Sequence, residues 1–366
     1  MKWNRSMNKP PRKRILIVTV NWLGDLLFMT PAIRSIRRAY PDSYIACLAP
    51  GRGLDLLTGN PHINKLISFE ESRGLRGILH WLALANQLRS ERFDTAFLFH
   101  RSFTRAFVVR LAGIRSRIGY RTWKQGWLLT QSAVSPSKDS VHKATWYLKL
   151  LEADQIPADG LRYDVELTRE DHAAAEKLLK GWGIGSSVRL IALHVGSNWK
   201  LKRWPAESFA QLADALATKF DARIVFIGSG EDRSLIEKVI QRMNVKPLVA
   251  AGRTTLRQSG ALLARSALVV SNDSGPLHLA LAVGTPVVGL FGPTLPELSG
   301  PPSGAKAISL FGSIGCPVPC YQLNCPANLC MSEIRVDQVV AAAETFLHKP
   351  VHPEPFGSAQ GRLVEG

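Results

Sequence analysis

The sequence predicts an α/β fold of two parallel sheets covered by helices, and three observations carry that expectation. Short β-branched runs alternate with longer amphipathic ones along the chain; the alternation falls into two series with a seam near Gly181–Ser187; and several runs end in Gly- or Asp-bearing turns that open directly into a helix. Such alternation implies parallel strands with helices on both faces. The 366 residues suffice for two domains with proper cores. The expected division is a basic tail at 1–13, a first domain at 14–183, a second at 184–348 and a Pro- and Gly-rich tail, expected to be disordered, at 349–366.

Taken in order, Ile15–Val20 reads as a strand and Leu26–Tyr40 as a helix interrupted early by Pro31. Tyr44–Leu48 reads as a strand, Leu75–Leu88 as a helix, and Thr95–Phe99 as a strand after the turn residue Asp94. Helices are expected at Phe103–Leu111, Lys143–Leu151 and Arg169–Gly181, the last ending at Gly. The second series begins with strand Arg189–Leu193, then helix Pro205–Lys219, strand Arg223–Ile227 and helix Asp232–Arg242. Strands at Ala267–Val270 and Pro286–Leu290 flank a helix at Leu279–Val283, and a last helix runs near Val336–His348. In sheets of this kind ligands bind beyond the carboxyl ends of the strands, so two facing sheets share one cleft.

Composition narrows the function. No apolar run reaches the roughly 18 residues that would span a bilayer. The apolar piece after the basic N-terminus, Ile15–Val20, is too short for a signal peptide, so a cytoplasmic location is expected. The net charge of +17 is uneven: residues 1–183 carry 29 Lys and Arg against 16 Asp and Glu, and residues 184–366 carry 17 against 13. That bias suits a polyanionic partner such as nucleic acid, an acidic membrane face or a phosphorylated glycolipid, and equally a basic surface kept for solubility. Four of five cysteines cluster as Cys316-x3-Cys320-x4-Cys325-x4-Cys330. The close pairs of a zinc ribbon are absent, and disulfides are not expected in a reducing compartment.

Four stretches bear chemistry. Ser271-Asn272-Asp273-Ser274-Gly275-Pro276-Leu277-His278 joins a strand to a helix whose first turn holds Pro276. Backbone N–H groups and the helix dipole make such a turn an anion site, although the same residues also suit a capped helix with no ligand. Asn21-Trp22-Leu23-Gly24-Asp25 follows the first strand. Gly24 allows a sharp turn, and Asp25 stands at a helix N-terminus as either a general base or an ordinary cap. His194-Val195-Gly196-Ser197-Asn198-Trp199-Lys200-Leu201-Lys202-Arg203-Trp204-Pro205 combines small residues, three cations and a helix start, which suits a diphosphate or a solvated basic loop. In Gly228-Ser229-Gly230-Glu231 an acid beyond a strand could hold a ribose hydroxyl. Neither a Walker A motif nor a full G-x-G-x-x-G is present, which argues against a P-loop enzyme and a nicotinamide dehydrogenase; no cofactor is expected.

Taken together, Asn-Trp-Leu-Gly-Asp (21–25), Lys-Arg-Trp-Pro (202–205), Gly-Ser-Gly-Glu (228–231) and Asn-Asp-Ser-Gly-Pro-Leu-His (272–278) resemble glycosyltransferase family 9, the bacterial heptosyltransferases of lipopolysaccharide core assembly. Gly-Leu-Phe-Gly-Pro-Thr (289–294) and the Cys-rich segment before Met331 fit the same family, and the resemblance runs over about residues 14–347. The Trp-x-Gly-Asp and Asn-Asp-Ser-Gly forms look more like heptosyltransferase II than I. The resemblance implies a GT-B fold of two Rossmann-like domains facing across a cleft, ADP-heptose as donor and inversion at the anomeric carbon. It implies Asp25 as the base and Lys202 as the residue neutralising the departing ADP. Gly24, Gly196, Ser197, Glu231, Asp273, Ser274, Gly275 and His278 would then line the donor site. Val195-Gly196-Ser197 stands where the family often has Pro-Gly-Ala.

The residues suit that chemistry without the resemblance. An inverting transfer needs a base on one face of the sugar and leaving-group stabilisation on the other. No Asp-x-Asp occurs, so nothing in the sequence calls for a metal, and a lysine with preorganised dipoles can stabilise a leaving diphosphate. The basic first half would then meet the phosphorylated, Kdo-bearing inner core of a lipid A-type acceptor, with the protein peripheral at the inner face of the cytoplasmic membrane. Arg101, Arg105 and Arg121 are the expected acceptor contacts. Another GT-B enzyme with a different nucleotide sugar or glycan keeps the same cleft. A nucleic-acid-binding protein would explain the charge, but no aromatic-interleaved basic platform is present.

Overall fold

The computed structural model describes residues 13–70, 74–137, 139–322 and 324–347. The expected tails, apart from Lys13, and the end of the last helix at His348 lie outside the described residues.

The first series runs β1 (Arg14–Val18), α1 (Leu23–Ala39), β2 (Tyr44–Pro50), α2 (Gly51–Leu57), β3 (Lys65–Phe69), α3 (Gly74–Ser90), β4 (Thr95–Leu98), α4 (Phe103–Leu111), β5 (Ser116–Tyr120), β6 (Gln131–Ala133), α5 (Lys143–Lys149) and α6 (Arg169–Gly181). The second runs β7 (Arg189–His194), α7 (Ala206–Phe220), β8 (Ala222–Phe226), α8 (Arg233–Ile240), β9 (Leu248–Val249), α9 (Leu256–Arg265), β10 (Leu268–Asn272), α10 (Gly275–Ala282), β11 (Val287–Phe291), α11 (Pro296–Ser299), β12 (Ala307–Phe311), α12 (Leu329–Ser332) and α13 (Val336–Leu347).

The strands form two six-stranded sheets, in the orders β3-β2-β1-β4-β5-β6 and β12-β11-β10-β7-β8-β9. Every pairing is parallel. Each half therefore starts in the middle of its sheet, winds to one edge and returns to fill the other. The order reverses between β1 and β4 and between β7 and β10, and a crevice opens at each such switch point. The central strands are buried on both faces, as in Ile15–Val18 and Leu268–Val270, which is why they read as continuous apolar runs.

The α/β expectation holds, with differences in detail. β3, β5, β6, β9 and β12 were not legible as strands: all lie outside the central strands and are short or mixed in pattern, down to the two residues of β9. α1 is one continuous helix through Pro31. Pro31 denies a donor to the carbonyl four residues back, and the Thr30 hydroxyl donates to that same Leu27 carbonyl at 2.8 Å. The local side chain thus repairs the bond that the proline removes.

The two halves touch at named points. α1 packs on α10. His142, at the start of α5, accepts the Ala144 N–H at Nδ1 and so carries its proton on Nε2, which lies 3.0 Å from the Gly300 carbonyl of the second half. α6, placed before the seam by the sequence reading, packs on α9. There the buried Arg257 guanidinium donates to Asp171 at 2.6 and 2.9 Å, while Asp171 completes a capping box with Thr168.

Candidate active site

Three of the four stretches marked in the sequence lie at the two switch points, and the fourth, at 228–231, follows β8. Asp25 follows β1, the segment holding Arg101 and Arg105 follows β4, Gly196 to Lys202 follow β7, and Asp273 to His278 follow β10. Fold topology places two of these segments at the carboxyl ends of the strands in each sheet.

On the first side, α1 begins at Leu23 with Trp22 as N-cap residue and no side-chain cap. Asp25 is therefore inside the first turn rather than before it, and its side chain does not cap the helix. The carboxylate faces α5 instead. Lys143 Nζ lies 3.7 Å from Asp25 Oδ1, and Tyr147, one turn further along α5, hydrogen-bonds the same carboxylate. Burial, and then the charge of Asp25, push the Tyr147 phenol well above its ordinary value. It stays protonated and donates. Neither residue was singled out from sequence, although a Lys and a Tyr four apart on a helix share one face.

On the second side, Asp273 is 4% exposed. Its Oδ2 accepts from Lys202 Nζ at 2.6 Å, Thr294 Oγ1 at 2.7 Å and Ser299 Oγ at 3.1 Å. Burial pushes this carboxyl up, yet the Lys202 ammonium, hydrogen-bonded to it, outweighs burial and holds Asp273 well below the usual carboxylate range. Lys202 is the closer partner; His278 Nε2, at 3.8 Å from Oδ1, is beyond hydrogen-bond reach. Lys202, Thr294 and Ser299 all converge on one oxygen of the carboxylate. Asp273 thereby holds Lys202 beside the turn that precedes α10.

The loop after β7 is built by side chains. Asn272 accepts the Trp204 N–H at 3.0 Å and donates to the Val195 carbonyl at 2.9 Å, and the Arg203 fork donates to the Ser197 carbonyl at 2.8 and 3.0 Å. A Cβ on Gly196 would stand 2.2 Å from Asp232 Oδ1, so a larger residue there would displace the Asp232 side chain. Ser274 turns its hydroxyl to His194, with Oγ 3.0 Å from Nδ1. Glu231 is exposed beside Asp232, and Asp232, the acid next to it, caps Ser229 with a bond of 2.7 Å.

The halves close on each other here. A Cβ on Gly24 would lie 3.4 Å from His278 Cδ2, and one on Gly275 would lie 2.8 Å from Leu23 Cδ2. The Phe28 and His278 rings meet at a tilt of 58°, with 4.4 Å between centroids. The His278 ring is buried with Nδ1 unbonded within the protein, and burial lowers its pKa, keeping it neutral.

The three arginines expected to meet the acceptor differ. Arg101 is exposed, donates to Ser135 Oγ at 2.7 Å and lies over the Trp146 ring at 4.6 Å. Arg121 is exposed in the turn after β5. Arg105 is 1% exposed and donates to the Thr19 carbonyl at 2.8 Å and to Asn21 Oδ1 at 2.5 Å. It braces the Asp25 loop from behind, a correction that follows from its place on the buried face of α4. The four clustered cysteines are all free thiols.

His194 closes β7. It is fully enclosed, and burial lowers its pKa to about 4 from the ordinary 6.5. A histidine held neutral in the fold contributes stability above pH 6.5 that is lost as pH falls toward 4, because the unfolded chain binds the proton first. The slope from this residue is at most about 1.4 kcal/mol per pH unit. His142 and His278 shift the same way through burial. His194→Gln should therefore flatten, without abolishing, the fall in melting temperature between pH 6.5 and 4. An unchanged slope would show that His194 does not titrate in this window.

Comparison with solved structures fits this geometry. The glycosyl transferase family 9 protein from Veillonella parvula superposes with a TM-score of 0.82 at 27% identity, over 92% of this chain and 97% of that one. The ADP-heptose lps heptosyltransferase II of Escherichia coli gives 0.77 at 25% identity, over 91% and 98%. The two facing Rossmann-type sheets are those of a GT-B glycosyltransferase. The family model of glycosyltransferase family 9 (heptosyltransferase) matches residues 81–329, and the chain belongs to that family. Lipopolysaccharide heptosyltransferase 2 of Escherichia coli strain K12 is 28% identical over 314 residues, covering 80% of this chain and 86% of that protein.

Proposed function

We propose that this protein transfers a heptose from ADP-heptose to the phosphorylated, Kdo-bearing inner core of a lipid A-type acceptor, with inversion, as a heptosyltransferase II-like enzyme. The observation that carries the reading is the convergence at Gly24 and Gly275: a Cβ on Gly24 would stand only 4.0 Å from Gly275 Cα. The carboxylate-bearing first turn of α1 and the anion-binding turn before α10 thus share one cleft. The likeness to the Escherichia coli ADP-heptose lps heptosyltransferase II supports the choice of nucleotide.

In this reading the acceptor hydroxyl loses its proton to Asp25 as its oxygen bonds to the anomeric carbon from one face. The bond from that carbon to the diphosphate breaks on the other face, and ADP leaves with one further negative charge. Lys202 and the N–H groups at the start of α10 meet that charge, with no metal required. Gly196, Ser197 and Glu231 serve the nucleotide end, and Arg101 and Arg121 face the acceptor phosphates. Residues 14–183 act as the acceptor half and 184–348 as the donor half, with α6 moving with the donor half on which it packs.

A thermal-shift comparison of ADP, UDP, GDP and NAD at equal concentration tests the donor. A ligand at 100 times its Kd stabilises by about 2.7 kcal/mol, so affinity ranks the shifts. ADP should give the largest. A larger shift with UDP or GDP keeps the cleft and discards the donor. No shift with any nucleotide would count against the whole site.

A further inference from the structure

The first half exposes several large apolar side chains that the proposed reaction does not use. Leu79 on α3 is 67% exposed, and Trp123 and Trp127, in the turn after β5, are 87% and 60% exposed. On α4 the outward stripe is Phe103, Phe107 and Arg110. α3 packs beside α4. The Phe103 ring lies 6.0 Å from Phe107 and 6.1 Å from Trp127, so these three aromatics form one patch and not scattered singles. Large exposed apolar patches mark interaction sites.

The charge around the patch says what covers it. Residues 74–137 contain ten Lys and Arg against two acids, Glu91 and Asp94. Both acids are engaged at the far edge, Glu91 with Arg14 and Lys65 and Asp94 with the Arg14 N–H. Arg110 and Lys124 remain at the rim, the latter 4.9 Å over the Trp123 ring. Aromatic side chains ringed by cations match the two layers of an anionic bilayer: rings at the headgroup boundary, ammonium and guanidinium groups against lipid phosphate. No helix among the described residues is long and apolar enough to cross a membrane, so the contact would be one of surface docking. The patch also borders the catalytic side, because Arg105 on α4 hydrogen-bonds Asn21 of the Asp25 loop.

We infer that the α3–α4 face with the Trp123–Trp127 turn docks on an anionic lipid surface and so presents the Asp25 side of the cleft to a lipid-anchored acceptor. The orientation rests on the proposed reaction; the docking does not, and the experiment reads lipid binding without any sugar. The full chain is floated with vesicles of phosphatidylglycerol in phosphatidylethanolamine and, separately, with phosphatidylcholine. The protein should float with the anionic vesicles alone and be released by high salt. A Phe103→Ser, Phe107→Ser, Trp127→Ser variant should lose about tenfold or more in partitioning. Arg110→Glu with Lys124→Glu, which leaves the apolar surface intact, should lose binding as well while keeping the ADP thermal shift. Failure of the unaltered protein to float, or equal floating of both variants, would overturn the inference. So would a dimer that these substitutions dissociate without any vesicle binding, since the face would then belong to a second copy.

Discussion

Asp25→Asn should lower turnover by roughly a hundred- to ten-thousand-fold while leaving ADP affinity within about twofold, the span expected when a positioned general base is removed. The substitution keeps the shape of the side chain and the Oδ that Tyr147 bonds. What it removes is the ability to take a proton. The ion pair with Lys143 also goes, but at 3.7 Å, with the lysine side chain half exposed, it contributes little to stability. Donor binding should survive because the groups proposed to hold ADP stand on the loops after β7 and β10, in the other half. The measurement pairs single-turnover rates with calorimetric ADP affinity on the same preparation. Loss of ADP binding in a folded variant would show that Asp25 acts through the donor site and not as the base.

How much of this was legible beforehand differs by element. Central strands announced themselves because burial on both faces leaves little choice but Val, Ile, Leu and Ala, as in Ile15–Val18 and Leu268–Val270. Strands toward the sheet edges are freer: β6 reads Gln-Ser-Ala and shows no period. Loops at the switch points were visible through glycines and charges whose spacing is set by backbone needs. What those side chains do was harder to see, because it depends on contacts distant in sequence. Nothing near Asp273 suggests that it spends its charge on Lys202, 71 residues earlier. Arg105 and Arg101 look alike in sequence, yet one faces the core of α4 and the other the solvent. Tyr147 and Lys143 become partners of Asp25 only once α5 has packed on α1.

Lys202→Ala should weaken ADP binding by about tenfold or more, the worth of a charge-assisted hydrogen bond to phosphate, and slow turnover by about a hundred- to a thousand-fold. The second loss should exceed the first if the lysine meets charge that grows as ADP departs, since only interactions stronger in the transition state than in the ground state raise the rate. The structure adds a consequence for stability. Asp273 stays buried, with Thr294 and Ser299 as remaining donors, and stranding a buried carboxylate costs about 3 kcal/mol. The variant should therefore melt lower, and its melting temperature should depend less on acid: with Lys202 gone, the cation that holds the Asp273 pKa down is absent. For a carboxylate the depressed pKa supplies stability at neutral pH that disappears as pH falls, so the native protein loses more on acidification than the variant does. Lys202→Met, which keeps the stem without the charge, separates packing from electrostatics. A folded Lys202→Ala protein with undiminished turnover would remove the lysine from the mechanism and leave its bond to Asp273 as a purely structural tie between the loops after β7 and β10.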